Sequence, residues 1–387
     1  DTLSGGNGND FVLGGANADT LEGGNGTDLL QYFGSSSGVA IDLNDDGFGF
    51  QSASGGDATG DVITGFERVS GSVHADSLTG NDANNYLNGG AGNDTLTGGE
   101  GNDTLRGGTG ADTISGGSGN DWLNYRGSSA AVTVDLIIDG FGFQSAFGGE
   151  ASGDVVSGFE RVHGSDYSDT LTGNDEDNFL YGHIGSDTLS GGIGNDRLRG
   201  GEGTDSISGG AGNDIVLGGA NADTLSGGTG TDLLQYFESD SAVTVNLNVD
   251  GFGIQSASGG DATGDVISGF ERVSGSAHSD TLTGNDSKNY LNGGAGNDTL
   301  TGGEGNDTLR GGADADTFVF SSGDGNDLID GEDGLDTVQY IGFDSTDFQI
   351  VDLAGADWTV TEIATGDVDT LVSIETLVFD NTSLFVL

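Results

Sequence analysis

A period of nine residues runs through most of the sequence and restricts the folds open to the chain. The segment 5–13 reads GGNGNDFVL, and the same pattern begins again at Gly14 and at Gly23. Tandem copies occupy 89–124, 182–235 and 293–319, and looser copies precede them at 71–88, 164–181 and 275–292. A unit this short cannot bury an apolar face by itself, so the copies must stack on one another as a solenoid.

Each position in the repeat has a physical role. Glycine permits the positive φ angles of a tight turn, and the residues that replace the fourth-position glycine, Asn17, Asn221 and Asp314, are types that tolerate positive φ. The eighth position is apolar throughout, which predicts three-residue strands whose central side chain points inward. Positions seven and nine, often Thr or Ser, are expected to face solvent.

The sixth position is usually Asp, and its spacing predicts metal sites. If two units form one coil, aspartates eighteen residues apart stack on the same edge, and the sequence contains twelve such pairs. Carboxylates roughly 5 Å apart repel each other by about 1 kcal/mol even in water, so the stack needs counter-ions. Oxygen donors without His or Cys favour Ca²⁺ over transition metals, and Mg²⁺ is disfavoured because it retains its waters. The aspartates predicted to bind metal are Asp1, Asp10, Asp19, Asp28, Asp76, Asp94, Asp103, Asp112, Asp121, Asp169, Asp187, Asp196, Asp205, Asp214, Asp223, Asp232, Asp280, Asp298, Asp307 and Asp316.

The pattern G-G-x-G-x-D with an apolar eighth residue resembles that of the RTX (repeats-in-toxin) family of calcium-binding nonapeptide repeats. The resemblance implies an all-β fold, a right-handed parallel β-roll or β-solenoid, in which two Asp side chains and turn carbonyls from adjacent coils hold each ion. About twelve or more Ca²⁺ ions are expected, one for each stacked pair. Asn85, Asn178 and Asn289 stand at the Asp position of looser units, and we expect their sites to be the weakest or to stay empty.

Three similar segments of 39 residues interrupt the repeat, at 32–70, 125–163 and 236–274. Each carries an alternating strand, a tip resembling DGFGF and a G-D-V-x-x-G-F-E-R-V motif, which favours an additional coil with an enlarged loop. A second interpretation is that the apolar tips bind a partner, either another copy of the chain or a cell-surface polysaccharide. The tip residues are Phe48 and Phe50, Phe141 and Phe143, and Phe252 and Ile254.

Two groups of charged residues belong to these insertions. The first group is interpreted as solvated loop charge, with additional Ca²⁺ sites as the alternative: Asp57 and Asp61, Glu150 and Asp154, Asp261 and Asp265. The second group is interpreted as surface residues: Glu67 and Arg68, Glu160 and Arg161, Glu271 and Arg272.

The end of the chain differs in composition, because aromatic residues gather there and glycine becomes rarer. A solenoid must cover its last coil, so this segment is predicted to be a β cap. Its final residues, 380–387, resemble the uncleaved C-terminal signal of type I secretion substrates. The predicted boundaries are RTX repeats at 1–31, 71–124, 164–235 and 275–319, insertions at 32–70, 125–163 and 236–274, and a cap with a secretion signal at 320–387.

Charge excludes several classes of partner. The chain has 63 acidic and 9 basic residues and a formal net charge of −54, which is incompatible with binding nucleic acid or anionic lipid. Such a composition is typical of disorder unless bound cations replace the missing core. Cys is absent, so no disulfide can do that work, and no apolar run is long enough to span a membrane. Because the sequence lacks Met and begins inside a repeat, we expect a processed product or part of a longer chain.

The sequence predicts a function without catalysis. It contains no HExxH or GxSxG motif, and its four histidines, at 74, 163, 183 and 278, do not recur at one site. We expect a secreted calcium-binding protein, extracellular or on the cell surface, that folds on binding Ca²⁺ and acts as a structural, self-assembling or adhesive protein. The alternative is the C-terminal folding and secretion module of a longer exoenzyme or toxin. An ice- or polysaccharide-binding face is disfavoured because the third position of the repeat varies too much to form a regular array.

Overall fold

The computed structural model describes residues 1–45, 47, 49–138, 142–249, 253–352, 357–380 and 382–385. The described residues form β-strands and four short 3₁₀ turns, with no α-helix among them. The 3₁₀ turns are Gly56–Ala58, Gly149–Ala151, Gly260–Ala262 and Ser345–Asp347. The chain divides into two compact units, Asp1–Ile193 and Gly194–Leu387.

The described residues of the first unit form 21 strands. They are β1 Thr2–Asn7, β2 Phe11–Val12, β3 Thr20–Asn25, β4 Leu29–Gln31, β5 Ala40–Asp42, β6 Ser52–Ser54, β7 Val62–Thr64, β8 Arg68–Ser70, β9 Ser77–Thr79, β10 Tyr86–Ala91, β11 Thr95–Glu100, β12 Thr104–Thr109, β13 Thr113–Ser118, β14 Trp122–Asn124, β15 Thr133–Asp135, β16 Gln144–Phe147, β17 Val155–Ser157, β18 Arg161–His163, β19 Thr170–Thr172, β20 Phe179–Ile184 and β21 Thr188–Ile193.

The second unit continues the numbering in the same way. Its strands are β22 Arg197–Glu202, β23 Ser206–Ala211, β24 Ile215–Ala220, β25 Thr224–Thr229, β26 Leu233–Gln235, β27 Thr244–Asn246, β28 Gln255–Ser258, β29 Val266–Ser268, β30 Arg272–Ser274, β31 Thr281–Thr283, β32 Tyr290–Ala295, β33 Thr299–Thr301, β34 Thr308–Ala313, β35 Thr317–Phe320, β36 Leu328–Asp333, β37 Thr337–Tyr340, β38 Phe348–Asp352, β39 Asp357–Glu362, β40 Val368–Val372, β41 Thr376–Phe379 and β42 Thr382–Phe385.

The strands of the repeats alternate between two parallel sheets. In the first unit β10 pairs in parallel with β12, so that Leu87 lies opposite Leu105, and β11 pairs with β13, so that Leu96 lies opposite Ile114. Each partner is therefore eighteen residues further along the chain. The second unit repeats this register, as in β23 with β25. The predicted all-β fold, a parallel β-roll with two repeat units per coil, is confirmed.

The core lies between the two sheets and is made by the eighth residue of each repeat. Leu87, Leu105 and Leu123 are fully buried, and the residues on either side of each are partly or fully exposed. Burial of one such side chain contributes roughly 1.5–3 kcal/mol, which is little per coil for a chain so rich in acidic residues.

The turns between the sheets require backbone without side chains. Gly108 has φ of 102°, and a Cβ there would lie 1.9 Å from the carbonyl oxygen of Gly90 in the preceding coil. Asn17, Asn221 and Asp314 adopt φ of 82°, 85° and 77°, so the prediction that they replace a turn glycine is confirmed.

Each insertion adds a coil that contains an antiparallel hairpin. In the first insertion, β5 pairs in parallel with β9 of the following repeat, and β6 runs antiparallel to β5. Strand β7 then lies parallel to β3 of the preceding repeat, and Gln51 bridges to Ile63 in the antiparallel sense. The hairpin tips at Phe48, Phe141 and Phe252 lie outside the described residues. Their neighbours Phe50, Phe143 and Ile254 are exposed.

The C-terminal segment has the same order of strands as an insertion. Strand β40 pairs in parallel with β36, as β7 does with β3, and β39 runs antiparallel to both β38 and β40. Strand β41 pairs in parallel with β37, as β8 does with β4. From Tyr340 onward, the segment predicted to be a cap of its own type is thus built as a fourth coil of the insertion type, whereas β36 and β37 before it continue the repeats.

Candidate metal centres in the aspartate ladder

The predicted stacking of aspartates is present as a ladder of hydrogen bonds. At many positions Oδ1 of one Asp accepts the backbone N–H of the Asp eighteen residues earlier, as Asp112 does from Asp94 at 2.8 Å and Asp121 from Asp103 at 2.7 Å. We call each such acidic position a rung. The same bond joins Asp10 to Asp28, Asp76 to Asp94, Asp169 to Asp187, Asp196 to Asp214, Asp205 to Asp223, Asp214 to Asp232, Asp280 to Asp298 and Asp298 to Asp316.

The other carboxylate oxygen is what makes these rungs candidate metal ligands. At many rungs Oδ2 is buried and accepts no hydrogen bond from the described part of the chain. We call these positions open rungs. They are Asp10, Asp19, Asp28, Asp94, Asp103, Asp112, Asp121, Asp223, Asp232, Asp298, Asp307, Asp316, Asp327 and Asp336. A buried charged oxygen without a donor is strongly unfavourable, so it calls for a cation.

A second oxygen lies next to this one at several turns. A Cβ on Gly89 would lie 2.3 Å from Oδ2 of Asp94 and 2.6 Å from the carbonyl oxygen of Gly107, one coil further on. A side-chain oxygen and a main-chain oxygen therefore converge beside the first glycine of the repeat, with room there only because that residue has no side chain. Carboxylate and carbonyl oxygens are the donors that Ca²⁺ prefers, so the residues present fit this ion.

Burial makes the ionised rungs costly. It is the main reason that the pKa of Asp94 is raised to about 7 and that of Asp298 to about 8. The backbone N–H donated to each carboxylate opposes the rise, while the charges of Asp112 and Asp316 on the next rungs add to it. A bound divalent cation would favour the ionised form and remove this cost.

The insertions put a tyrosine hydroxyl where the repeats leave an open oxygen. Oδ1 of Asp61 accepts the N–H of Asp19 at 2.8 Å, and its Oδ2 accepts the hydroxyl of Tyr32 at 2.8 Å. Three further pairs have the same bond: Tyr125 with Asp154, Tyr236 with Asp265, and Tyr340 with Asp369. The interpretation of Asp61, Asp154 and Asp265 as solvated loop charge is wrong, because these side chains are buried rungs.

The glutamates of the insertions are also rungs. Oε2 of Glu67 accepts the N–H of Asp28 at 3.0 Å, and Glu160, Glu271 and Glu375 do the same at their positions. The interpretation of Glu67, Glu160 and Glu271 as surface residues is therefore wrong: the extra methylene lets each reach across to the ladder. Arg68 stays on the outer face, with its guanidinium 5.0 Å from the ring centre of Tyr86.

Four predicted ligands have surroundings that differ from those of the open rungs. Oδ1 of Asp76 accepts the N–H of Val39, and its Oδ2 accepts the N–H of Ser72 at 2.6 Å. Asp169 and Asp280 are bonded in the same way. The structure thus gives the metal assignment at Asp76, Asp169 and Asp280 no support, because the chain's own donors occupy both oxygens. Asp1 is exposed, and its amino group contacts Oδ1 of Asp19.

At the three asparagine positions, the side-chain amide forms hydrogen bonds with the chain itself. Oδ1 of Asn85 accepts the N–H of Asn81 at 2.7 Å, and Nδ2 donates to the carbonyl oxygen of Glu67 at 3.2 Å. Asn178 and Asn289 repeat both bonds. An amide donor satisfies a carbonyl that could otherwise bind a cation, which favours the hypothesis that these sites stay empty.

The sequence analysis missed two of the rungs whose Oδ2 is buried without a donor, Asp327 and Asp336. Asp307 donates its N–H to Asp327 at 2.7 Å, and Asp316 donates to Asp336 at 2.8 Å, both across twenty residues instead of eighteen. The signal was present, since Asp327 and Asp336 are nine residues apart and each follows a glycine-containing turn. Two additional residues shifted the register and placed both aspartates inside the segment predicted to be the cap.

Two of the histidines meet on the outer face of the first unit. Nδ1 of His163 lies 2.9 Å from Nε2 of His183, and the imidazole of His163 stacks on Trp122. Burial is the main cause that lowers the pKa of His163 to about 4. His183 occupies a turn position with φ of 82°, where the other tandem repeats have a glycine, such as Gly90. The absence of catalysis stays a prediction.

The comparison with known protein families identifies the family of this chain. The model of the RTX calcium-binding nonapeptide repeat matches residues 1–30, 61–96, 70–105, 97–127, 163–198, 199–234, 265–300, 293–324 and 319–339. These matches cover well over half of the chain. The chain belongs to the RTX calcium-binding repeat family. The RTX matches reach residue 339, so they include Asp327 and Asp336 as well as the predicted repeats.

Other comparisons add less. No curated protein matches the chain. One of the solved structures that it resembles is that of the extracellular lipase LipA from Serratia marcescens, with 20% identity and a TM-score of 0.18. That alignment covers 55% of this chain and 37% of the lipase, so this RTX chain spans little more than a third of the lipase. Among the residues that the structure describes, no helix has the length and apolar character of a membrane span.

Membership of the RTX family identifies the ion that the ladder binds. RTX nonapeptide repeats bind calcium, so the chain is a calcium-binding protein of the secreted type. The open rungs, with an unsatisfied Oδ2 beside a turn carbonyl, are where the structure offers oxygen donors for it.

Proposed function

We propose that this RTX chain is an extracellular structural protein that folds when Ca²⁺ binds its open rungs and then associates with further copies of itself. The observation that carries the first part is the series of buried Oδ2 atoms without donors. In water these carboxylates are solvated and ionised, whereas in the coil each must find a cation or a proton.

The size of the ligand effect makes calcium decisive for folding. A ligand present at a hundred times its dissociation constant stabilises the fold by about 2.7 kcal/mol for each site. Several such sites exceed the stability of a typical domain, which is roughly 5–15 kcal/mol. Where free Ca²⁺ is scarce, as in the cytosol, the chain stays unfolded. Where it is abundant, outside the cell, the chain folds.

The second part rests on the insertions. The hairpin of the second insertion exposes Ile137, Ile138, Phe143 and Phe147, and that of the third exposes Val249 and Ile254. Large exposed apolar side chains grouped on one loop are typical of contact surfaces. About twelve Ca²⁺ ions would reduce the net charge of −54 only to about −30, so copies would meet through apolar contacts and not through opposite charges.

Sedimentation velocity in millimolar Ca²⁺ and in EGTA tests this function. We expect a species larger than the monomer in calcium and its loss in the double variant Ile137→Ser, Ile138→Ser. Ser145→Ala, an exposed change in the same hairpin, is the control that should leave association intact. A folded chain that stays monomeric in calcium at every concentration would reject self-association and favour the alternative, a folding and secretion module of a longer exoenzyme or toxin.

A further inference from the structure

The ladder does not run unbroken through either unit. In the first unit, open rungs occur from Asp10 to Asp28 and again from Asp94 to Asp121. Between them lie Asp61, Glu67, Asp76 and Asn85, whose oxygens accept hydrogen bonds from the chain itself. In the second unit the open rungs end at Asp232 and resume at Asp298.

Between the open rungs, uncharged side chains of the chain itself donate hydrogen bonds to the oxygens of the ladder. The Tyr125 hydroxyl donates to Oδ2 of Asp154, the atom that corresponds to the open oxygen of Asp112 on the preceding rung. Burial is the main cause that raises the pKa of Tyr125 well above its usual value, so this hydroxyl keeps its proton. At the other edge of the same coil, the amide of Asn178 donates to the carbonyl oxygen of Glu160.

The insertion coils also have a core of their own. Tyr125, Leu136 and Phe159 are fully buried there, in contrast to the repeats, whose buried eighth residue is usually a single Leu, Ile or Val. Gln144 ties the hairpin to this core, because its Nε2 donates to the carbonyl oxygen of Phe159 at 2.8 Å and its Oε1 accepts the N–H of Phe159 at 3.1 Å. Aromatic burial and neutral hydrogen bonds thus supply what cations supply in the repeats.

We propose that the insertions and the C-terminal coil bind no calcium and divide the ladder into blocks that load with Ca²⁺ separately. Within the two units the open rungs of these blocks lie at 10–28, 94–121, 223–232 and 298–336. Each block ends at a rung whose carboxylate is held by a tyrosine hydroxyl and at a neighbouring glutamate rung. This inference rests on the proposed calcium-dependent folding and specifies which rungs take part in it.

Two consecutive rungs of one edge offer a matched pair of variants. Asp112 donates its N–H to Oδ1 of Asp154 at 2.9 Å, and both side chains are buried. The isosteric changes Asp112→Asn and Asp154→Asn therefore remove the same charge from adjacent positions. The amide of Asn at 154 can still donate to the oxygen of Tyr125, so this variant keeps a closed rung.

Native mass spectrometry of the full chain in saturating Ca²⁺ counts the ions that each variant holds. We expect Asp112→Asn to lose at least one ion and Asp154→Asn to lose none. Loss of an ion from Asp154→Asn, or retention of every ion by Asp112→Asn, would overturn the proposal.

Hydrogen exchange during a calcium titration tests whether the blocks are separate. Asp112→Asn should raise the calcium midpoint for protection of peptides in 94–121 by about tenfold or more and leave the midpoint for 298–336 within about twofold. Equal shifts in both blocks would show one continuous ladder and contradict the proposal. Protection that does not depend on calcium in any block would instead reject the proposed function, so the two failures are distinguishable.

Discussion

The coil at Asp112 and the coil at Asp154 use the same hydrogen bond to stack but leave the second carboxylate oxygen in opposite conditions. Asp112 has a buried Oδ2 without a donor, whereas Asp154 receives the hydroxyl of Tyr125. The backbone register is the same, so the difference lies in one neighbouring side chain and in the core that positions it. The comparison teaches that a carboxylate ladder can be completed in two ways, by a cation from solution or by a donor from the chain.

Removing the rungs of one block should produce the largest effect. The fourfold variant Asp94→Asn, Asp103→Asn, Asp112→Asn, Asp121→Asn keeps the shape of each side chain but removes the ionised oxygens. We expect residues 89–124 to lose all calcium-dependent protection in hydrogen exchange, because no hard anionic donor remains there.

The control for this variant removes four exposed charges instead. Asp82, Asp166, Asp175 and Glu176 lie on the surface of the same unit. Changing them to their amides should leave calcium-dependent protection within about twofold of the original midpoint. If both variants behave alike, net charge and not the rungs governs folding, and the distinction between the two kinds of coil fails.

The pH dependence of the calcium-free chain sharpens the comparison. Burial raises the pKa of Asp223 to about 8 and that of Asp265, the next rung, to about 6, where the hydroxyl of Tyr236 opposes the rise. A raised pKa means that the folded form prefers the proton, so this contribution is present below the ordinary pKa of about 4 and is lost as the pH rises through 6 to 8.

In EGTA we therefore expect β structure measured by circular dichroism to increase as the pH is lowered from 9 to 5. With calcium the direction reverses, because the ion binds only the ionised carboxylates and acid releases it. A calcium-free signal that stays constant between pH 9 and pH 5 would contradict the assignment of the raised pKa values to the rungs.

A smaller effect is expected where the chain supplies its own donor. Tyr125→Phe leaves Oδ2 of Asp154 buried without its hydroxyl partner and should lower the free energy of unfolding by about 1–3 kcal/mol in saturating calcium. Thermal denaturation measures this change. Tyr167→Phe is the control, because that side chain is exposed, and it should alter stability by less than about 0.5 kcal/mol. Equal effects of the two changes would show that the Tyr125 hydroxyl does not hold the rung.

Much of the fold could be predicted from the period of the sequence. A nine-residue repeat with one apolar position gives the strand, its inward residue and the stacking of Asp94 on Asp112, because all three follow from local spacing. The insertion rungs could not be found in this way, since Asp61 meets Tyr32 across 29 residues that form a hairpin. Glu67 was interpreted as a surface residue because its contact with the N–H of Asp28 spans 39 residues and follows no repeat.

The C-terminal coil keeps the intervals between contacting residues that the insertions have, although its sequence differs from theirs. Its residues share few identities with the insertions, and aromatic composition alone indicated a separate kind of cap. The distance of 29 residues from Tyr340 to Asp369 and that of 39 from Asp336 to Glu375 are those of Tyr32 to Asp61 and Asp28 to Glu67. These intervals are present in the sequence, but they indicate a shared structure only once the contact between Tyr32 and Asp61 is known.

The most direct test of a ladder completed by cations is far-ultraviolet circular dichroism of the full chain at pH 8, first in EGTA and then in millimolar Ca²⁺. We expect a weak β signal in EGTA that rises several-fold on adding calcium, because the coils cannot stack while the carboxylates of the open rungs repel one another. The same β signal under both conditions would contradict it.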